Sequence, residues 1–177
     1  EKLYHIFHKG NLAGGGVLNH LTHNVAPGLY IQAKRTEEGN IENNLLAMIN
    51  TFKGNKGNEL EKATVIKSIP LNKWLHIVLR VQDKNFDVYV NGQMTDRRPL
   101  ESLPMQNYGD IHIGQKGSGK NDWGFNGELS SLRYYNSALN PVEIESISRS
   151  GPNMCQDSSK PESGPYFSSR WYTTINN

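Results

Sequence analysis

The chain has 177 residues, 36% of them hydrophobic and 20% charged, and its 17 Gly and 8 Pro favour one loop-rich globular domain over a helical bundle. Its 19 Lys and Arg against 17 Asp and Glu leave a formal charge of +2. That charge gives too weak a field to predict nucleic acid as a partner.

Three segments in the first half of the chain predict strands. Residues 28–34 alternate apolar and polar side chains, which is typical of a strand with one buried face. Residues 45–52 are apolar at both parities and predict a strand that is covered on both faces. Residues 64–69 form a further β-branched run.

Residues 74–82 carry the clearest strand pattern, with apolar side chains at every second position. A short polar turn and a second alternating run at residues 86–90 predict a hairpin. The Asn91-Gly92 pair tolerates positive φ at both central positions of a type I′ turn. The chain is therefore predicted to return as an antiparallel strand over residues 93–97. Further on, residues 110–114 predict a short strand.

The end of the domain is predicted to hold one more strand and one helix. Residues 128–135 continue the strand pattern if Ser130-Ser131 forms a bulge that corrects the parity. A helix is predicted from residue 141 to about residue 149, because Asn140 is a good N-cap, Pro141 suits the first turn and Glu143 completes a capping box.

Short strands separated by turn signals, with one short C-terminal helix, predict an all-β, two-sheet antiparallel sandwich over residues 1–152. Residues 153–177 are expected to form a loop-rich tail that packs back on this domain. No apolar run approaches the roughly 20 residues that span a bilayer, so no membrane span is predicted. The single cysteine, Cys155, excludes an internal disulfide and favours a reducing compartment.

Five short motifs occur in a characteristic order: WLHIV at 74–78, VYVNG at 88–92, IHIG at 111–114, FNGEL at 125–129 and RYYNSAL at 133–139. Together they resemble the laminin-G-like, concanavalin A-like lectin/glucanase superfamily over residues 71–148. The resemblance implies a jelly-roll sandwich that acts as a non-catalytic, carbohydrate-binding, lectin-like module. A glycan or glycoprotein is the implied partner.

The segments IFHKG at 6–10, PGLY at 27–30 and residues 151–153 and 165–172 are similar to a subgroup encoded by large DNA viruses of algae and protists. This resemblance implies a virion-associated protein that recognises host-surface glycans, with a membrane anchor upstream of Glu1 left open. The alternative is a structural, minor capsid-type interaction protein that contacts other virion proteins. A non-viral member would be extracellular or on a cell surface.

Two catalytic or nucleotide-binding interpretations are disfavoured by the residues themselves. Residues 114–120 fit G-x-x-x-x-G-K, but Asn121 stands where Ser or Thr would hold magnesium, and no helix is predicted to follow. Glycoside hydrolysis needs two carboxylates at the scissile bond, whereas Asp87, Asp110 and Glu128 are isolated. We therefore predict no enzyme, with a glycoside hydrolase built from distant carboxylates as the weaker alternative.

The histidines are predicted to be structural. His5 and His8 are three residues apart, so on a regular strand they would face opposite sides and make a poor joint metal site. His20 and His23 lie in a Gly-rich stretch without Cys or a nearby acid, which does not favour zinc. His76 is expected to be a hydrogen-bonded residue of its strand.

The loop at residues 120–126 is the candidate recognition site, because its amide and carboxylate groups suit sugar hydroxyls or a calcium ion and its aromatic rings suit a sugar face. Calcium is the one cofactor considered. The alternative is that an aromatic ring plugs the end of the sandwich while the polar groups cap turns. The candidate ligand-binding residues are Asn121, Asp122, Trp123, Asn126, Tyr30 and Tyr108.

Overall fold

The computed structural model describes residues 2–10, 25–52, 58–114 and 122–154, with the side chains of 58–64 and 122–123 not described. This part of the chain forms nine strands and one helix: β1 (Lys2–Gly10), β2 (Val25–Arg35), β3 (Ile41–Phe52), β4 (Asn58–Ile66), β5 (Ile77–Gln82), β6 (Asn85–Val90), β7 (Gln93–Pro99), β8 (Ile111–Ile113), β9 (Asp122–Gly124) and α1 (Pro141–Ser150).

The strands form two sheets, as the sequence predicted. The larger sheet has the order β4-β3-β2-β1-β8, with β9 also beside β1, and the smaller has the order β5-β6-β7. The ladders are antiparallel except for β9, which runs parallel to β1. The mostly antiparallel sheets and the one short helix of the described residues confirm a two-sheet, jelly-roll-type sandwich.

A hydrophobic core packs between the two sheets. The larger sheet contributes side chains from β1, β2 and β3, and the smaller sheet contributes Phe86 and Val88 from β6. Because a strand alternates its side chains between two faces, Ile77, Leu79 and Val81 of β5 also point to this core. The buried side chains of the core are Ile6, Leu29, Leu45, Ala47, Ile49, Phe86, Val88 and Leu100.

The opposite face of the larger sheet carries a second hydrophobic cluster, made of Leu3, Tyr30, Leu46 and Met48. Strand β3 contributes to both clusters, and every residue from Asn44 to Thr51 is buried. The prediction of a strand covered on both faces is therefore confirmed.

The tight turn and the helix at its side are also as predicted. Asn91 and Gly92 have φ angles of 52° and 82°. Gly92 has a positive φ that glycine adopts without strain, and a Cβ there would lie 3.2 Å from the Cβ of Ser148, so α1 packs closely on the turn. Asn140 and Glu143 form the capping box that starts the helix. No helix in the described residues is long and apolar enough to cross a membrane.

The predicted strand at residues 128–135 is wrong. This segment forms no ladder, and Leu129 and Leu132 are 44% and 41% exposed. Ser131 has a φ of 54°, which breaks an extended conformation at the position where a bulge was expected. The chain also bends at Gly127, close to the ring of Phe125, before the segment begins.

The prediction that His5 and His8 face opposite sides is also wrong. His5 pairs with Tyr30 and Phe7 pairs with Leu29, so Ile6 is an extra residue that forms a β-bulge. The bulge turns both histidines to one face, where His5 Nε2 and His8 Nδ1 lie 2.8 Å apart in a hydrogen bond.

A buried carboxylate ties the outer face of the smaller sheet together. Asp87 lies opposite Arg80 on β5 and Arg97 on β7, and its side chain is fully buried. Arg97 Nε and Nη2 donate to the two carboxylate oxygens at 2.7 and 2.9 Å. Arg80 Nε lies 3.8 Å from Oδ2, and Arg80 Nη1 donates to the hydroxyl of Tyr89 at 3.0 Å.

We expect Asp87→Asn to lower the free energy of unfolding by about 2–3 kcal/mol, because Arg80 is only 12% exposed and would lose its countercharge. The control is Asp96→Asn, whose carboxylate pairs with the exposed Arg98 at 3.5 Å and should matter by less than about 1 kcal/mol. Urea denaturation measures both. Equal losses in the two variants would contradict the cross-strand role of Asp87.

Candidate binding cleft

A cleft of about 2470 Å³ opens between β5 and the segment of residues 125–139. We call β5 together with residues 69–76 the first wall, and residues 125–139 together with residues 150–154 the second wall. The floor consists of buried core side chains such as Leu29, Leu45 and Ile49. In the described sheets β5 has a ladder only with β6, and residues 125–139, which line the same cleft, form no ladder.

Aromatic side chains stand on both walls of this cleft. Trp74 lies half-buried on the first wall, while Tyr134 and Tyr135 are 67% and 43% exposed on the second. Aromatic rings of this kind offer flat apolar faces together with polar edges. The amide side chains of the lining are Asn43, Asn72, Asn91, Gln106, Asn107, Asn126, Asn136 and Asn153.

His76 is held on the first wall by the turn that follows β6. The amide oxygen of Asn91 accepts a hydrogen bond from the backbone N–H of His76 at 3.0 Å, and the Asn91 N–H donates to the His76 carbonyl at 2.8 Å. Burial lowers the pKa of His76, and the positive charge of Arg133 on the opposite wall lowers it further. His76 therefore stays neutral at pH 7.

Lys9 enters the cleft from β1 and is fixed by neutral oxygens. Its Nζ donates to the carbonyl of Asn107 at 2.6 Å, to the side-chain oxygen of Asn107 at 2.9 Å and to the carbonyl of Gly109 at 3.0 Å. A Cβ at residue 109 would collide with the backbone of Gly10, so the close approach of this segment to β1 requires glycine.

The structure distributes the six predicted site residues over different places. Asn126 is exposed and lines the cleft. Asn121 lies outside the described residues, and Asp122 and Trp123 form β9 beside β1, with their side chains not described. Residues 122–124 are therefore part of the larger sheet rather than a free loop.

The two predicted tyrosines differ from each other in exposure. Tyr108 is 96% exposed, outside the cleft. Tyr30 is fully buried in the second hydrophobic cluster, and its pKa is raised by burial. Tyr30 is therefore a core residue in this fold, because its parity on β2 directs it to the covered outer face of the larger sheet.

The sequence analysis did not single out Trp74, Tyr134 and Tyr135, which line the cleft. Trp74 and Tyr134 were assigned to the strand pattern and the family motifs, where aromatic residues are usually core. A signal was available in RYYNSAL, because two adjacent tyrosines in a strand with one buried face cannot both point inward.

Metal ligands are not assembled in the part of the chain that the structure describes. No group of three or more His, Cys, Asp or Glu side chains is placed there to hold a metal ion. The rings of His8 and His112 lie 4.8 Å apart, next to the His5–His8 hydrogen bond, so these imidazoles contact one another. His20, His23, Cys155 and the glycine-rich residues 115–121 lie outside the described residues.

The two packed sheets, the capped helix and the polar-rimmed cleft define an all-β sandwich protein of jelly-roll type. The family model of the concanavalin A-like lectin/glucanases superfamily matches residues 29–145, and the chain belongs to that superfamily. The resemblance identified from the ordered motifs is confirmed at this level.

One solved structure shows a further similarity. The chain is similar to residues 221–444 of an S-layer domain-containing protein from Clostridium thermocellum, at 18% sequence identity and a TM-score of 0.39. The similarity covers 67% of this chain and 55% of that one, so the chain spans about half of that structure. No curated protein matches the chain.

We expect the stability of the protein to fall as the pH drops below the ordinary histidine value of 6.5, and His76→Gln to reduce that fall. The pKa of His76 is lower in the folded state than in the unfolded chain, so the unfolded chain binds the proton at a higher pH. Protonation of the unfolded chain then lowers the free energy of unfolding. Urea denaturation at pH values from about 7.5 to 5 measures the slope. An unchanged slope in His76→Gln would contradict this role.

Proposed function

We propose that the protein is a non-catalytic carbohydrate-binding module whose glycan lies in the cleft beside β5. The observation that carries this proposal is the pairing of exposed aromatic rings with amide side chains around an open cleft. Sugar rings stack their apolar faces on aromatic side chains, and amides can bridge their hydroxyl groups. Trp74, Tyr134 and Asn126 are the residues we assign to this contact.

The carboxylates around the cleft support a binding role over hydrolysis. Hydrolysis of a glycosidic bond ordinarily uses two carboxyl groups on opposite sides of the bond. Glu128 is the one acidic side chain among the described lining residues. Asp87 is buried and engaged by Arg80 and Arg97, so it is not available to a ligand in the cleft.

We expect Tyr134→Ala to weaken glycan binding roughly tenfold, since a central aromatic contact is commonly worth more than 1 kcal/mol. Tyr134 is 67% exposed, so this change should leave the fold intact. Trp74→Ala should weaken binding at least as much. A glycan array identifies the ligands, and calorimetric titration of the intact chain measures the affinities.

Two further variants make this experiment decisive. Phe52→Ala removes an aromatic side chain that is 52% exposed and lies outside the cleft, and it should bind like the unchanged protein. Tyr108→Ala tests one of the ligand-binding residues that the sequence predicts outside the cleft. Loss of binding in Tyr108→Ala, with Tyr134→Ala unaffected, would move the site away from the cleft. Absence of binding to any glycan, with or without a chelator, would reject both the lectin function and calcium dependence.

A second candidate function is that of an interaction protein, such as a structural component of a particle. It is favoured by the exposed apolar side chains of the second wall and helix, where Leu129, Leu132 and Val142 are 44%, 41% and 74% exposed. Exposed apolar groups that lie near one another often mark protein contacts. Concentration-dependent association in light scattering, reduced by Leu132→Ser, would support this candidate. Virion association stays a prediction, which the protein content of purified particles would test.

A further inference from the structure

Charge is distributed unevenly over the described side chains. Among the residues that line the cleft, the charged side chains are Lys9, Lys73, Arg80, Arg133 and Glu128. Basic groups therefore predominate there, whereas Asp and Glu outnumber Lys and Arg among the other described side chains. The lining of the cleft therefore concentrates basic side chains in a chain whose formal charge is only +2.

The charge of Lys9 is fixed in position and not cancelled. Its three hydrogen-bond acceptors are two backbone carbonyls and one amide oxygen, and none is a carboxylate. An ammonium group has three donors, so Lys9 acts on a ligand through its field. Because the side chain is already ordered, binding does not have to immobilise it.

Arg133, on the second wall, supplies a guanidinium group that can form directed hydrogen bonds to a ligand. Its side chain is exposed, and no carboxylate of a described residue forms an ion pair with it. Arg133 and His76 line the same cleft, and the pKa of His76 is lowered by its burial and further by the charge of Arg133. A guanidinium group pairs through two parallel hydrogen bonds with a carboxylate, and it also binds sulfate-like oxyanions. By contrast, the charge of Arg80 is balanced by Asp87 at 3.8 Å.

We propose that the cleft takes an acidic polysaccharide, with the carboxylate or sulfate groups of the polymer on Arg133 and in the field of Lys9. This inference rests on the carbohydrate-binding function proposed above and names its ligand class. The size of the cleft, about 2470 Å³, exceeds the 300–1,000 Å³ of an ordinary small-molecule pocket and suits an extended chain. The aromatic rings on both walls would contact the sugar rings between the anionic groups.

The experiment compares three polymers of similar length: dextran, polygalacturonate and dextran sulfate. Both acidic polymers, or the one that carries the preferred anion, should bind with an affinity that falls as the salt concentration rises. Arg133→Gln should weaken this binding about tenfold, the effect of losing a charge-assisted hydrogen bond. The matched control is Arg98→Gln, which removes the same charge from a side chain that is 56% exposed and outside the cleft.

Binding of polygalacturonate alone would identify carboxylate as the anion, and binding of dextran sulfate alone would identify sulfate. Equal weakening in Arg133→Gln and Arg98→Gln would overturn the inference, because net charge alone would then explain the binding. If neutral glycans on the array bind and neither acidic polymer does, the inference fails while the carbohydrate-binding function stands. If no glycan of either kind binds, both fail.

Discussion

The burial of β3 on both faces is the constraint on which the rest of the structure depends. Leu45, Ala47 and Ile49 point to the core between the sheets, and Leu46 and Met48 point to the second cluster. Successive side chains of a strand point to opposite faces, so a run that is apolar at both parities must be covered twice. β2 and β4 pair along its edges, and the smaller sheet covers one of its faces.

The cleft follows from an edge that this packing leaves unpaired. In the described sheets β5 pairs only with β6, and an edge strand presents unpaired backbone groups to its surroundings. Residues 125–139 line the same cleft as this edge, but the positive φ of Ser131 and the bend at Gly127 interrupt the extended conformation that a continuous ladder needs. The side chains that a paired strand would divide between the core and the solvent instead line an open space, whose lining includes both Tyr134 and Trp74.

The basic side chains fall into two groups that differ in their partners. The carboxylate of Asp87 balances Arg97 and part of the charge of Arg80, so these groups stabilise strand pairing in the smaller sheet. On the cleft side, Lys9 is bound by neutral oxygens and Arg133 has no carboxylate partner among the described residues. Basic side chains therefore stabilise strand pairing in the smaller sheet, whereas those of Lys9 and Arg133 remain available to a ligand in the cleft. Membership of the concanavalin A-like lectin/glucanases superfamily is compatible with this arrangement. Fold membership does not define the ligand, so the ligand has to be inferred from the side chains of the site.

The sequence by itself determined the local elements, because their signals lie within a few residues of one another. Alternation fixed β2 and the β5–β6 hairpin, Asn91-Gly92 fixed the turn, and Asn140 with Glu143 fixed the start of α1. The tertiary structure alone decided the features that depend on pairing between distant segments. The bulge at Ile6 appears only when β1 is aligned with β2, and it reverses which face His8 occupies. Likewise, residues 128–135 have the apolar pattern of a strand, but they form no ladder with β5. Local alternation predicts which side chains are apolar, but a ladder also needs a partner in register and a backbone without a break, and those are properties of the assembled sheets.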